Sequence, residues 1–167
     1  MTEINLKKKS LEYRKTILEI IFRSGAGHTG GSLSCVDILN VLYNSVMDIS
    51  PENFSKIDRD HYIQSKGHSV EALYTVLCDC GFYQREDLDT LNQFNSHFIG
   101  HPTKKIPGIE HNTGALGHGL SVAVGLALGI KKDKKNIVYL LYLETANYLK
   151  DLFGRLLLQL QNIILIT

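Results

Sequence analysis

The stretch from Gly100 to Ile130 limits what this chain can fold into more than any other. It reads GHPTKKIPGIEHNTGALGHGLSVAVGLALGI, a loop of histidines and prolines running into glycines and then into small apolar residues. Thr113 to Gly119 is expected to form a tight turn and Leu120 to Ile130 a helix. Glycines let backbone N–H groups approach a ligand closely, and the start of a helix is electropositive. A turn of this kind can seat an anionic group such as a phosphate, although taken alone it more often serves plain helix entry and close packing.

The other elements fall around that stretch as alternating helices and short apolar strands. Residues 5–23 read as an amphipathic helix carrying Leu11, Ile17, Leu18 and Ile21, ended by Gly25 and Gly27. A loop from Ser24 to Ser32 follows, and Ser34 with Asp37 suggests a cap for a helix burying Ile38, Leu39, Leu42 and Val46. Ser50 to Asn53 is a turn, His61–Gln64 a short strand, and Ser65 to His68 a second glycine–histidine loop. Val70 to Cys80 is a helix stopped by Gly81, and about Glu86 to Asn92 a shorter one. Beyond the lysine-rich connector Lys131 to Lys135, Ile137 to Leu143 is a continuous apolar run suited to a buried parallel strand. Residues 145–160 read as helical and Asn162 to Thr167 as a further buried strand, where the sequence stops. The pattern predicts an α/β fold, a parallel sheet flanked by helices, in one domain of 167 residues. A chain of this length buries about 70% of its unfolded surface.

Composition removes several classes of function. Eighteen basic residues face 17 acidic ones, so nothing draws the chain to nucleic acid or to a membrane surface. Lys7, Lys8 and Lys9 precede no apolar run long enough for a signal peptide, and no transmembrane span is expected. Cys35, Cys78 and Cys80 are too few and wrongly spaced for a disulfide framework or a four-thiolate metal site, which fits a reduced cytoplasmic chain.

The histidines carry the chemistry. His28, His68 and His101 each follow a glycine in a loop at the end of an element. A single loop histidine is usually structural. Three of them in an α/β chain point to the crevice where loops converge at the carboxyl ends of parallel strands. Imidazoles that titrate near neutrality suit hydroxyl and carbonyl groups that gain and lose protons. A zinc site would need paired ligands on one helix face, and these histidines lack that spacing. His61 and His97 read as structural, and His111 has no defined role.

Several segments together resemble a known family. They are Ser24-Gly-Ala-Gly-His-Thr-Gly-Gly-Ser, Ser65-Lys-Gly-His, Gly100-His-Pro, and the run from Pro107 to Ala127. They are similar, in order over about residues 5–141, to the N-terminal part of transketolase, and more narrowly to the N-terminal subunit of the two-chain bacterial enzymes. The resemblance implies a thiamine diphosphate-binding fold, thiamine diphosphate with Mg2+, and transfer of a two-carbon ketol unit between sugar phosphates. It implies a separate C-terminal transketolase subunit as partner, and an oligomer. By the same resemblance His28 and His101 contact the donor's oxygens and manage protons, and His68 lies near the coenzyme's diphosphate and reactive carbon. Gly114, Ala115 and Leu116 match the segment lining the coenzyme, and His118 stands where many relatives carry glutamine. The histidines would supply proton donors around a developing alkoxide, and the coenzyme the carbanion chemistry.

The likeness breaks after Leu141. Relatives continue with Gly-Asp-Gly-Glu; here the chain reads Tyr142-Leu-Glu-Thr-Ala-Asn, with Glu144 and Asn147 as the nearby oxygen-bearing side chains. Magnesium takes oxygen ligands in near-octahedral array. No metal ligand is assigned, residues 142–161 read as a divergent segment, and the domain reads as C-terminally truncated. Two readings stay open: the N-terminal subunit of a working transketolase, or a non-catalytic remnant that at most docks onto a partner.

Overall fold

The computed structural model describes residues 2–115, 117–132, 139–142 and 163–166. Helix α1 (Glu3–Ser24) is capped by Thr2, whose hydroxyl accepts the N–H of Asn5 at 3.4 Å, and ends at Gly25 with φ +65°. It buries Tyr13, Ile17 and Ile20, one stripe at helical spacing. Leu11 and Leu18, expected on the apolar face, lie outside it at 61% and 49% exposure.

Helix α2 (Thr29–Val41) begins five residues before the expected Ser34 cap, so much of the expected Ser24–Ser32 loop is helical. Ser34 instead donates to the carbonyl of Gly31 at 2.7 Å. Asp37 takes a two-pronged bond from Arg14 of α1, at 2.6 and 2.8 Å, which holds its carboxyl below the ordinary range. A π-helical turn, Leu42–Val46, finishes this segment and leaves Val46 exposed rather than buried.

Strand β1 (His61–Gln64) has the bounds expected from sequence. Behind it, a short 3-10 turn (Gly67–Ser69) opens helix α3 (Val70–Asp79). Every residue of α3 from Val70 to Leu77 is buried, so this helix is the centre of the core, with α1 and α2 packed beside it. Gly81 ends it with φ +85°; its N–H bonds to Cys78 O, and that of Phe82 to Leu77 O, both at about 3 Å. The next helix, α4 (Arg85–Leu88), is a single turn capped by Gln84 and Asp87, shorter than expected because the chain then breaks into turns that include Asn92 at φ +58°.

Helix α5 (His118–Lys132) starts two residues earlier than expected, placing His118 and Gly119 in its first turn. It buries Leu120, Ala123, Val124 and Ala127, a stripe at helical spacing. Strands β2 (Tyr139–Tyr142) and β3 (Ile163–Ile166) complete a parallel sheet in the order β1-β2-β3, with His61 opposite Tyr139 and Tyr139 opposite Ile163. The expected helix 145–160 and nearly all of the divergent segment 142–161 lie outside the described residues. No described helix is long and apolar enough to cross a membrane.

Candidate active site

Three loops bring three imidazoles into one row. His28 lies edge-on to His68 with ring centroids 4.7 Å apart, and His68 edge-on to His101 at 4.6 Å. The row begins at the exposed His28 and runs inward to the half-buried His68 and His101. It forms at the carboxyl end of β1, because the chain leaves Gln64 and within a few residues makes the turn that carries His68. In open parallel sheets this edge is where ligands bind.

Two of the three histidines are held through their backbone. The N–H of His28 donates to Glu71 Oε1 at 3.2 Å. His101 is held from beneath by Tyr74 of α3, whose buried hydroxyl lies 3.2 Å from the carbonyls of both Ile99 and His101. Burial pushes the Tyr74 phenol above its usual range, so it stays a donor. The ring of His101 meets Thr113, with Nδ1 3.3 Å from Oγ1. Thr113 is itself tied to that loop, its N–H donating to Pro102 O at 3.1 Å. Gly67 passes against this pair so closely that a Cβ there would stand 2.7 Å from His101 Nδ1.

The glycine turn sits beside the row. Gly114 has φ +151° and Gly117 φ +86°. Ala115 lines a cavity of about 190 Å³ together with Ser65, His111, Asn112, Thr113, His118 and Gly119. Gly119 packs on Ser65 so tightly that a Cβ would lie 2.8 Å from the Ser65 Cα. His111 and His118 share this cavity, and burial, then the nearby His118 and Lys104, lowers the proton affinity of His111. Leu116 lies outside the described residues. A second cavity of about 410 Å³ is lined by His97, Lys104, Lys105 and Asn112 among others.

His61 takes no place in the row. It joins a buried cluster in which Arg59 bonds Glu110, and its Nδ1 lies 3.3 Å from Glu110 Oε1. Burial raises the Glu110 carboxyl, but the bonds from His61 and Arg59 outweigh it and hold the group below its ordinary value. Sequence alone does not single out Glu71, Tyr74 or Glu110. Each sits in an apolar or mixed run whose partners are distant in the chain.

The donor set suits an organic ligand with several oxygen and nitrogen acceptors, thiamine diphosphate among them: imidazoles, a hydroxyl, an amide and glycine backbone around one crevice. It suits a divalent cation less well. Among the described residues no group of three His, Cys, Asp or Glu side chains could hold a metal ion.

The fold and site define a helix-flanked parallel α/β domain with a histidine-lined crevice at the carboxyl end of β1. The family described as the thiamine diphosphate binding domain of transketolase matches residues 7–138. This chain belongs to that family. It is 50% identical over 129 residues to an apulose-4-phosphate transketolase subunit from Phocaeicola vulgatus, covering 77% of this chain and 46% of that protein. It is 40% identical over 139 residues to 6-deoxy-6-sulfo-D-fructose transketolase subunit SqwG of a Clostridium species, covering 82% and 50%. The chain thus spans about half the length of these relatives. Among solved structures, transketolase from Campylobacter jejuni superposes with a TM-score of 0.87 at 27% identity, covering 99% of this chain and 28% of that one. Transketolase from Leishmania mexicana gives 0.87 at 25% identity, covering 99% and 27%.

Proposed function

We propose that this chain acts as the N-terminal subunit of a two-chain transketolase, moving a two-carbon ketol unit between sugar phosphates together with a separate C-terminal subunit. The observation that carries the reading is the row His28–His68–His101 at the end of a parallel strand, each imidazole within 4.7 Å of the next. Relatives named as separate transketolase subunits support it. Thiamine diphosphate, when bound, supplies the carbanion chemistry. His28 and His101 would then hold and move protons at the hydroxyl and carbonyl oxygens of the sugar, and His68 would serve the coenzyme's diphosphate and reactive carbon. By the family resemblance Gly114, Ala115 and Leu116 would line the coenzyme, and His118 would offer it a hydrogen bond. The cavity carrying Lys104 and Lys105 adds positive charge beside the His101 loop, which suits anionic sugars. The magnesium ion expected from the family has no carboxylate cradle among the described residues. An oligomer in a reduced, cytoplasmic setting completes the reading and suits the three free thiols.

One observation favours a second reading. Tyr142-Leu-Glu-Thr-Ala-Asn stands where relatives carry the metal-binding Gly-Asp-Gly, which is what an inactive, partner-docking remnant would show. The two are separated by mixing the full chain with a C-terminal transketolase subunit, thiamine diphosphate and Mg2+. Coenzyme binding by calorimetry and ketol transfer from a ketose phosphate to an aldose phosphate support the enzyme. Pairing without heat or transfer supports the remnant, and neither pairing nor transfer rejects both.

A further inference from the structure

One carboxyl group on α3 serves the start of α2. Glu71 lies in the first turn of α3 and is fully buried. Its Oε1 accepts the backbone N–H of His28 at 3.2 Å, and its Oε2 accepts the hydroxyl of Ser32 at 2.7 Å. His28 is the residue that opens α2, and its own side chain makes no capping bond there. Glu71 thus does from a neighbouring helix what the Glu of a capping box does from within its own helix, accepting the N–H of the cap residue. The start of α2 also carries partial positive charge, which favours a carboxyl group there.

The fit around it is close. A Cβ on Gly27 would lie 2.8 Å from Glu71 Oε1 and 2.7 Å from Ile21 Cγ1, so the loop entering His28 passes directly over the carboxyl. On the other side, His68 lies three residues before Glu71, in the turn that opens α3. Glu71 is therefore bonded to the backbone of one histidine and rigidly joined to the backbone of the next.

We propose that Glu71 is a positioning residue for the histidine row: its two oxygens set the distance between His28 and His68. It acts through the backbone of His28 and through Ser32, and touches neither substrate nor coenzyme. The proposal rests on reading the row as the reactive site, yet its test stands apart from activity.

The test is a histidine-labelled full chain followed by NMR, with folding checked by circular dichroism and melting. In Glu71→Leu both acceptors are lost. The His28 amide signal moves upfield and the ring signals of His28 and His68 shift, while those of His101, held by Thr113 and Tyr74, move less. Glu71→Gln retains one acceptor for the His28 N–H and restores those signals towards the wild type. Should Glu71→Leu fail to fold, Glu71→Asp serves instead. It keeps the carboxyl but withdraws it by one methylene, and shifts the same two rings. His28 and His68 signals that stay in place in the folded variants overturn the proposal. With a C-terminal subunit present, Glu71→Asp lowers kcat several-fold with KM little changed. Absence of turnover in the wild type would count against the transketolase reading and leave the NMR result on Glu71 intact.

Discussion

Thr113 Oγ1 lies 3.3 Å from Nδ1 of His101, a contact whose direction is set by the tautomer of that ring. Replacing Thr113 with Val keeps the shape and removes the hydroxyl. We expect about 1 kcal/mol of lost stability. We also expect a change in the His101 tautomer balance, read from its ring nitrogen shifts. Unchanged nitrogen shifts would mean that Thr113 does not orient the ring.

Glycines at the crevice are not interchangeable with those elsewhere. Gly67→Ala and Gly119→Ala push a methyl into His101 with Thr113, and into the Ser65 backbone, and each should cost about 1–3 kcal/mol. Gly30 lies in α2, where an added methyl would meet nothing within 4 Å, so Gly30→Ala should stabilise by about 0.5 kcal/mol. Thermal melts compare the three directly. Equal effects would contradict the close approach at the crevice.

The local features are readable from sequence, and the long-range ones are not. Strand β1, the stop at Gly81 and the three glycine–histidine loops are each signalled by a few adjacent residues. The start of α2 escapes such a reading because its cap comes from Glu71, 43 positions after His28, while Ser34 and Asp37 offer a plausible local cap that the chain uses otherwise. Tyr74 reads as one more apolar position on a buried helix, and only folding brings its hydroxyl to the carbonyls of Ile99 and His101. The three histidine loops suggest a shared crevice, but the order His28, His68, His101 along one row needs the fold.

Arg59 and Glu110 form a buried pair, with side chains 5% and 11% exposed, that ties the segment before β1 to the segment leading into Thr113. Arg59 also stacks on Phe54, 4.2 Å from the ring centre, and donates to Phe54 O at 2.8 Å. Glu110→Gln leaves the guanidinium without its counter-charge and should cost about 3–5 kcal/mol. The folded carboxyl lies below its unfolded value, so its contribution is full above the unfolded value, about pH 4.5, and is lost as pH falls through the folded one. Denaturation by acid should therefore show a steeper loss below about pH 4.5 in the wild type than in Glu110→Gln. Parallel curves for the two proteins would remove the pair from the account.

His111 should lose its proton at lower pH than an ordinary histidine, because it is partly buried and shares a cavity with His118 near Lys104. His118→Gln removes one of the charges opposing protonation, and the His111 midpoint should rise, as followed by NMR titration. A midpoint that stays put would show that burial and Lys104 account for the whole effect.

We propose that His28, His68 and His101 form one receptive surface for a thiamine diphosphate-type coenzyme. The most direct test is titration of thiamine diphosphate into the histidine-labelled full chain, alone and with a C-terminal subunit. We predict that the three ring signals move along one shared binding curve, while exposed His97 at the other cavity stays unmoved. Movement of only one of the three, or of none at saturating coenzyme with the partner present, would contradict the account.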